Sequence, residues 1–216
     1  MTETPQNIKD KFFKTLQGEI PIEDFENWVY NSTELEKFLG SVDYTDFISL
    51  DYKKQGAKYE IQNLIRKFID KSEFETWKIK ILLLNALNRT GDFSLAIRLF
   101  YDLYFHGYGF MDNLGLGYGL TLDCPYSSYG VDSFEELTNE QKDKLVNSFY
   151  PEIQTEIKKV LYWIDSGLIV LTGEQDEYNR FKYIDYRTES DKQPTAYKIE
   201  RIENKDRKTD WWKIWK

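Results

Sequence analysis

Histidine and cysteine are almost missing from this sequence: there is one of each, His106 and Cys124, in 216 residues. A His/Cys zinc site needs several such ligands, an intrachain disulfide needs two thiols, and proton relays between histidines need two imidazoles, so one chain can assemble none of these. Long apolar runs are missing as well. The longest strictly aliphatic stretches are Ile81–Leu84 and Leu168–Leu171, far short of the roughly 20 residues that cross a bilayer. The opening MTETPQNIKDKFF places Glu3 and Asp10 where a secretory leader would be apolar, so the expected location is cytoplasmic, without a membrane partner. Base is in deficit: 29 Lys and Arg stand against 37 Asp and Glu, a net charge of −8. General nucleic-acid binding requires basic surface to neutralise phosphates, which sets that class aside and favours a basic protein partner.

What the chain has instead is apolar and aromatic weight. A hydrophobic fraction of 41% and an aromatic fraction of 17% are too high for an acidic disordered chain, and a protein of this length buries roughly 70% of its unfolded surface. The periodicity predicts helices first and strands last. Thr4 is placed to cap a helix with Pro5 in its first turn; Ile8, Phe12, Phe13 and Leu16 share a face and Gly18 stops it. Pro21 opens a helix with Phe25, Trp28 and Val29 on one side. A third runs from Asn31 or Ser32 to Gly40, with Glu34 spaced for a capping box on Asn31. Residues 43–52 are ambiguous, and Ile61, Leu64, Ile65, Phe68 and Ile69 form a further helical stripe. Residues 72–106 read as a central αα-hairpin: a helix capped by Ser72, apolar all round in its second half and therefore expected to be buried, then a helix capped by Asp92. Half of the 12 glycines fall within 107–131, which reads as a Gly/Tyr-rich loop. Two more helices follow, at 138–149 and from Pro151 to Gly167. Three strands, at 168–172, 180–187 and 196–202, complete the expectation: an α+β protein whose helical part spans 1–166 and whose C-terminal antiparallel β-meander and Trp-rich tail span 167–216, packed as one unit.

No catalytic motif accompanies this plan. His106 is expected to cap the helix it ends. Gly115–Leu120, GLGYGL, has the spacing G-x-G-x-G rather than G-x-G-x-x-G and follows a helix rather than a strand, so it reads as a packing loop before a ligand loop. With 37 acids, carboxylate pairs arise by chance, and a two-acid carbohydrate-active enzyme is the weakest of the functional readings. Charge distribution is more informative. Residues 107–166 carry 10 acids and 4 bases, whereas 1–106 carry 17 and 14 and 167–216 carry 10 and 11. The acid excess thus coincides with the Gly/Tyr-rich region, and Tyr108, Asp112, Tyr118, Asp123, Tyr126, Tyr129, Asp132, Glu135 and Glu136 form the candidate partner-binding set. Carboxylates steer a basic partner, and tyrosines give contact area at low entropic cost. The plainer reading is a solvated face over a tyrosine-rich core.

The stretches DFENWVYNSTELEKFLG and YTDFISLDYK, with WIDSGLIVLTGEQDE and YIDYR near the end, resemble small cytosolic immunity-type proteins of bacterial toxin systems. The resemblance covers most of the chain but carries no motif, so no residue role transfers. It implies a stoichiometric, non-enzymatic inhibitor without cofactor or metal that occludes the active site of a toxin, often a basic nuclease. The alternative is a scaffold: ALNRTGDFSLAIRLF resembles the turn and second helix of a tetratricopeptide unit, although no second copy follows at a fixed period.

Overall fold

The computed structural model describes residues 3–192. They form eleven α-helices and one two-stranded antiparallel sheet, an α+β arrangement dominated by helix. A third strand is not seen among the described residues; the one expected at 196–202, and the tail with Trp211, Trp212 and Trp215, lie outside them. The chain divides into two compact units, one up to Trp77 and one from Lys78 onward.

The first unit holds α1 (Pro5–Gln17), α2 (Ile22–Asn31), α3 (Thr33–Leu39), α4 (Ser41–Ile48), α5 (Ala57–Ile65) and the start of α6 (Lys71–Asn88). Its start signals work as the sequence predicts: the Thr4 hydroxyl accepts from the Asn7 N–H, and Gly18 closes α1 at φ 78°. Two caps differ. Ser32, not Asn31, caps α3, because Asn31 is still the last residue of α2 and the Ser32 hydroxyl accepts from Leu35 N–H at 3.1 Å. Likewise Asp70 displaces Ser72 at the head of α6, its carboxylate accepting from the N–H groups of Ser72 and Glu73. The ambiguous 43–52 stretch is mostly α4, and Tyr52 ties its end by donating to the Phe47 carbonyl at 2.9 Å. The core is aromatic: Phe12 stacks on Phe47 at 5.7 Å and meets Trp28 edge-on at 5.9 Å. Complete burial of such a side chain is worth about 1.5–3 kcal/mol.

In the second unit, α6 continues and is followed by α7 (Phe93–Phe105), a 3-10 turn (Gly109–Met111), a π-helical stretch (Asn113–Gly119), α8 (Leu120–Asp123), α9 (Tyr126–Tyr129), a 3-10 turn (Phe134–Glu136), α10 (Asn139–Asn147), α11 (Glu152–Asp165), β1 (Ile169–Gln175) and β2 (Phe181–Asp185). The second half of α6 is not buried all round. Ile79, Leu83 and Ala86 enter the core, while Ile81 and Leu84 stay exposed. The largest departure from expectation is 107–131, which is mostly short helix rather than loop. Glycine disfavours helix by up to about 1 kcal/mol per residue, and here it is tolerated because the π-helical stretch lies directly against α7. A β-carbon on Gly115 would fall 2.7 Å from Cβ of Tyr104, and one on Gly119 would fall 2.6 Å from the Tyr101 nitrogen.

The same device docks the sheet. Gly107, at φ 116°, leaves room for the β2 backbone, which a β-carbon there would strike at 2.8 Å, and the Phe181 N–H donates to the His106 carbonyl at 2.7 Å. β1 and β2 pair with Val170 opposite Ile184 and Leu171 opposite Tyr183, then shift register around Gly173. Ile169 and Leu171 point into the core beside Ile157, Val160 and Trp163 of α11. Arg187, almost wholly buried, lies 4.3 Å over the Trp163 ring and donates to Asp185 at 2.9 Å.

Candidate functional site

α7 is apolar on two sides, and that decides where the candidate site falls. Ala96, Ile97 and Phe100 fill the core. Leu95, Leu99 and Asp102, spaced i, i+4 and i+7 on another side, face solvent together with Phe105, which is 68% exposed. Asp92 starts the helix by accepting from Leu95 N–H at 3.0 Å. His106 ends it as its position predicts: Nδ1 lies 2.8 Å from the Asp102 carbonyl oxygen. Along the outer side runs an open groove of about 290 Å³, lined by these α7 residues with Arg98, Tyr101 and Asp123.

Arg98 fixes the far wall. Its Nε donates to Asp123 at 3.1 Å and its Nη1 to Glu135, while the guanidinium sits 5.6 Å from the centroid of Phe134. The 120–136 segment is thereby pinned to α7 at two points. The Glu135 carboxyl is pushed down to about 2 by the Ser133 hydroxyl, its own backbone N–H and Arg98. Arg98 is displaced the other way: burial opposes its charge, but the two carboxylates outweigh that and raise its pKa. Its positive charge is therefore committed inside the protein, and the groove presents exposed Asp102 and partly exposed Asp123, with exposed Glu135 held next to Asp123 by Arg98.

The nine residues expected to bind a partner are not all on this face. Tyr108 is wholly buried, stacked on Phe181 at 4.9 Å with the planes 6° apart and flanked by Phe110 and Tyr183, so it is core. Asp112 is half-buried and accepts from the Asn113 N–H at 2.7 Å. Tyr118 packs edge-on to Phe149, and burial near Glu156 and Glu152 raises its pKa to about 12. Tyr129 is half-buried with its hydroxyl inside the protein, which pushes its pKa up. Tyr126, Asp132, Glu135 and Glu136 are exposed, and Asp123 is partly so. Arg98 brings Asp123 and Glu135 to one place. What the candidate set lacks is α7: Leu95, Leu99, Asp102 and Phe105. The signal was in the sequence, since FSLAIRLFYDLYF has more large apolar residues than one face of a helix can bury.

Comparison with protein-family models, curated proteins and solved structures gives no match for this chain. The site therefore rests on its own chemistry. A volume of about 290 Å³ sits at the bottom of the range for small-molecule sites and suits one or two inserted side chains. Its carboxylates are exposed and paired, Asp123 with Arg98 and Asp102 with His106, whereas a general acid for glycoside hydrolysis is a carboxyl kept protonated by an apolar pocket. Among the described residues, no group of three or more His, Cys, Asp and Glu is placed to hold a metal ion, and no helix is long and apolar enough to cross a membrane.

Proposed function

We propose that this chain is a non-enzymatic cytoplasmic binding protein of the immunity type, which neutralises a basic toxin, of the nuclease type, by covering its active site. The observation that carries the reading is the α7 groove of the second unit: exposed Leu95, Leu99 and Phe105 line it with Asp102 and Asp123, and Arg98, already paired with Asp123, also holds the exposed Glu135. Exposed apolar anchors surrounded by one sign of charge are the composition of a steered protein interface: charge raises the association rate, and the anchors hold the complex. The resemblance in the N-terminal and 163–187 stretches points the same way. A scaffold reading draws on the same helix, because the exposed stripe belongs to the second helix of the 72–106 pair.

Affinity purification of the tagged chain from its source cells, followed by an activity titration of the recovered partner, separates the two. The immunity reading expects a basic partner whose activity falls to zero at one equivalent of this chain. A partner that stays fully active when saturated contradicts it and favours the scaffold.

A further inference from the structure

The exposed stripe on α7 spans Leu95 to Phe105, eleven residues of helix or about 15 Å. An i, i+4, i+7 set of anchors on a second helix spans about 10.5 Å and fits within that length. The groove beside it is open, with Leu95, Leu99 and Phe105 supplying apolar surface. Its rim is acidic: Asp102 is largely exposed, and Asp123 and Glu135 each keep part of their carboxylate toward solvent while sharing one arginine. Asp102 faces His106, and Lys142 lies 5.2 Å from the centroid of the Phe134 ring that Arg98 also covers; counted with histidine neutral, three carboxylates against Arg98 and Lys142 leave one negative charge in excess. An acidic or neutral occupant gains nothing from that field, whereas lysines or arginines flanking apolar anchors are complementary to it.

We infer that this α7 groove is the anchor point of the partner interface and that it receives a basic amphipathic helix of the partner, with two or three apolar side chains seated on Leu95, Leu99 and Phe105 and basic side chains against Asp102, Asp123 and Glu135. This rests on the binding reading above and adds to it the contact element and its chemistry. Arg98 acts as a positioning residue, holding Asp123 and Glu135 beside the stripe instead of meeting the partner itself.

The test uses the whole chain and a synthetic probe: a fluorescein-labelled 18-residue Leu/Lys peptide with leucines at helical i, i+4, i+7 spacing, read by anisotropy at two salt concentrations. A scrambled peptide of identical composition controls for charge alone. The groove predicts at least tenfold tighter binding of the patterned peptide than of the scrambled one, a loss of about fivefold or more in Phe105→Ala and in Leu99→Ala, and a weaker salt dependence in Asp102→Asn. Tyr59→Ala, an equally exposed aromatic in the first unit, leaves binding unchanged. Equal affinity for both peptides, or indifference to Phe105→Ala, overturns the inference, as does sedimentation showing a dimer that Phe105→Ala dissolves, since a second copy would then be the occupant. Failure here with full toxin neutralisation retained removes the groove and leaves the proposed function standing. Groove binding without neutralisation of any partner does the reverse.

Discussion

Arg98 and Arg187 each tie a distant piece of chain to a helix, and their surroundings predict different behaviour. Arg187 is nearly buried between Asp185 and the face of Trp163. Removing it leaves a partly buried carboxylate uncompensated, a loss of up to about 3 kcal/mol. Arg187→Ala should therefore lower the denaturation midpoint and shift the emission of Trp163; an unchanged midpoint would mean that Asp185 finds water instead. The Arg98 pair is more exposed and accordingly weaker, worth under about 1 kcal/mol. Its signature is pH dependence. The Glu135 carboxyl lies near 2 in the folded protein against an ordinary 4.5, so its contribution is complete above pH 4.5 and is lost as pH falls toward 2. The stability gap between wild type and Glu135→Gln should close over that window, and urea denaturation at pH 7, 4 and 2.5 measures it. A gap that does not change with pH would show that Glu135 ionisation is not coupled to folding.

At the level of elements, the contact between α7 and the π-helical stretch makes the sharpest prediction. Gly119→Ala drives a β-carbon into the α7 backbone, and neither helix can retreat without opening the core, so a loss of about 3 kcal/mol or more is expected. Gly91→Ala is the matched control. Gly91 has a positive φ of 58° and nothing within 4 Å, so only backbone strain of about 1–2 kcal/mol applies. Denaturation midpoints of the two variants decide it, and equal losses would refute the close approach. This contact also shows where the sequence stops being legible. Thr4, Pro5, Gly18 and Pro151 mark helix ends through local chemistry, and those ends lie where the sequence places them. The stretch 107–131 reads as loop because glycine propensity is local, whereas the force that makes it helical is a tertiary contact with Phe100, Tyr101 and Tyr104. Tyr108 shows the same limit within the candidate site. A tyrosine carries both an apolar ring and a polar tip, and only the stacking partner Phe181, far along the chain, places it inside. Asp123 and Glu135 are legible from the charge distribution, whereas Asp102 lies outside the acid-rich stretch, and which leucines of α7 stay exposed depends on the segments packed against its other side.

For the whole molecule, the acid excess is not spread evenly, and the structure gives part of it a location. Asp102 and Asp123 line the α7 groove of the second unit with exposed Leu95, Leu99 and Phe105, and Glu135 joins Asp123 on Arg98. If this face is the interface, reversing charges there should damage binding without damaging the fold. Asp132 and Glu136 suit the purpose because both are exposed and flank Glu135 in sequence, and surface substitutions of this kind change stability by about 0.5 kcal/mol or less. The most direct measurement is the inhibition titration of the recovered basic partner with wild type and with the double variant Asp132→Lys, Glu136→Lys, at low and at physiological salt. The predicted result is complete inhibition at one equivalent of wild type and at least a tenfold weaker inhibition by the double variant at low salt, with an unchanged denaturation midpoint. Equal inhibition by both proteins at low salt would contradict the assignment of this face as the binding surface.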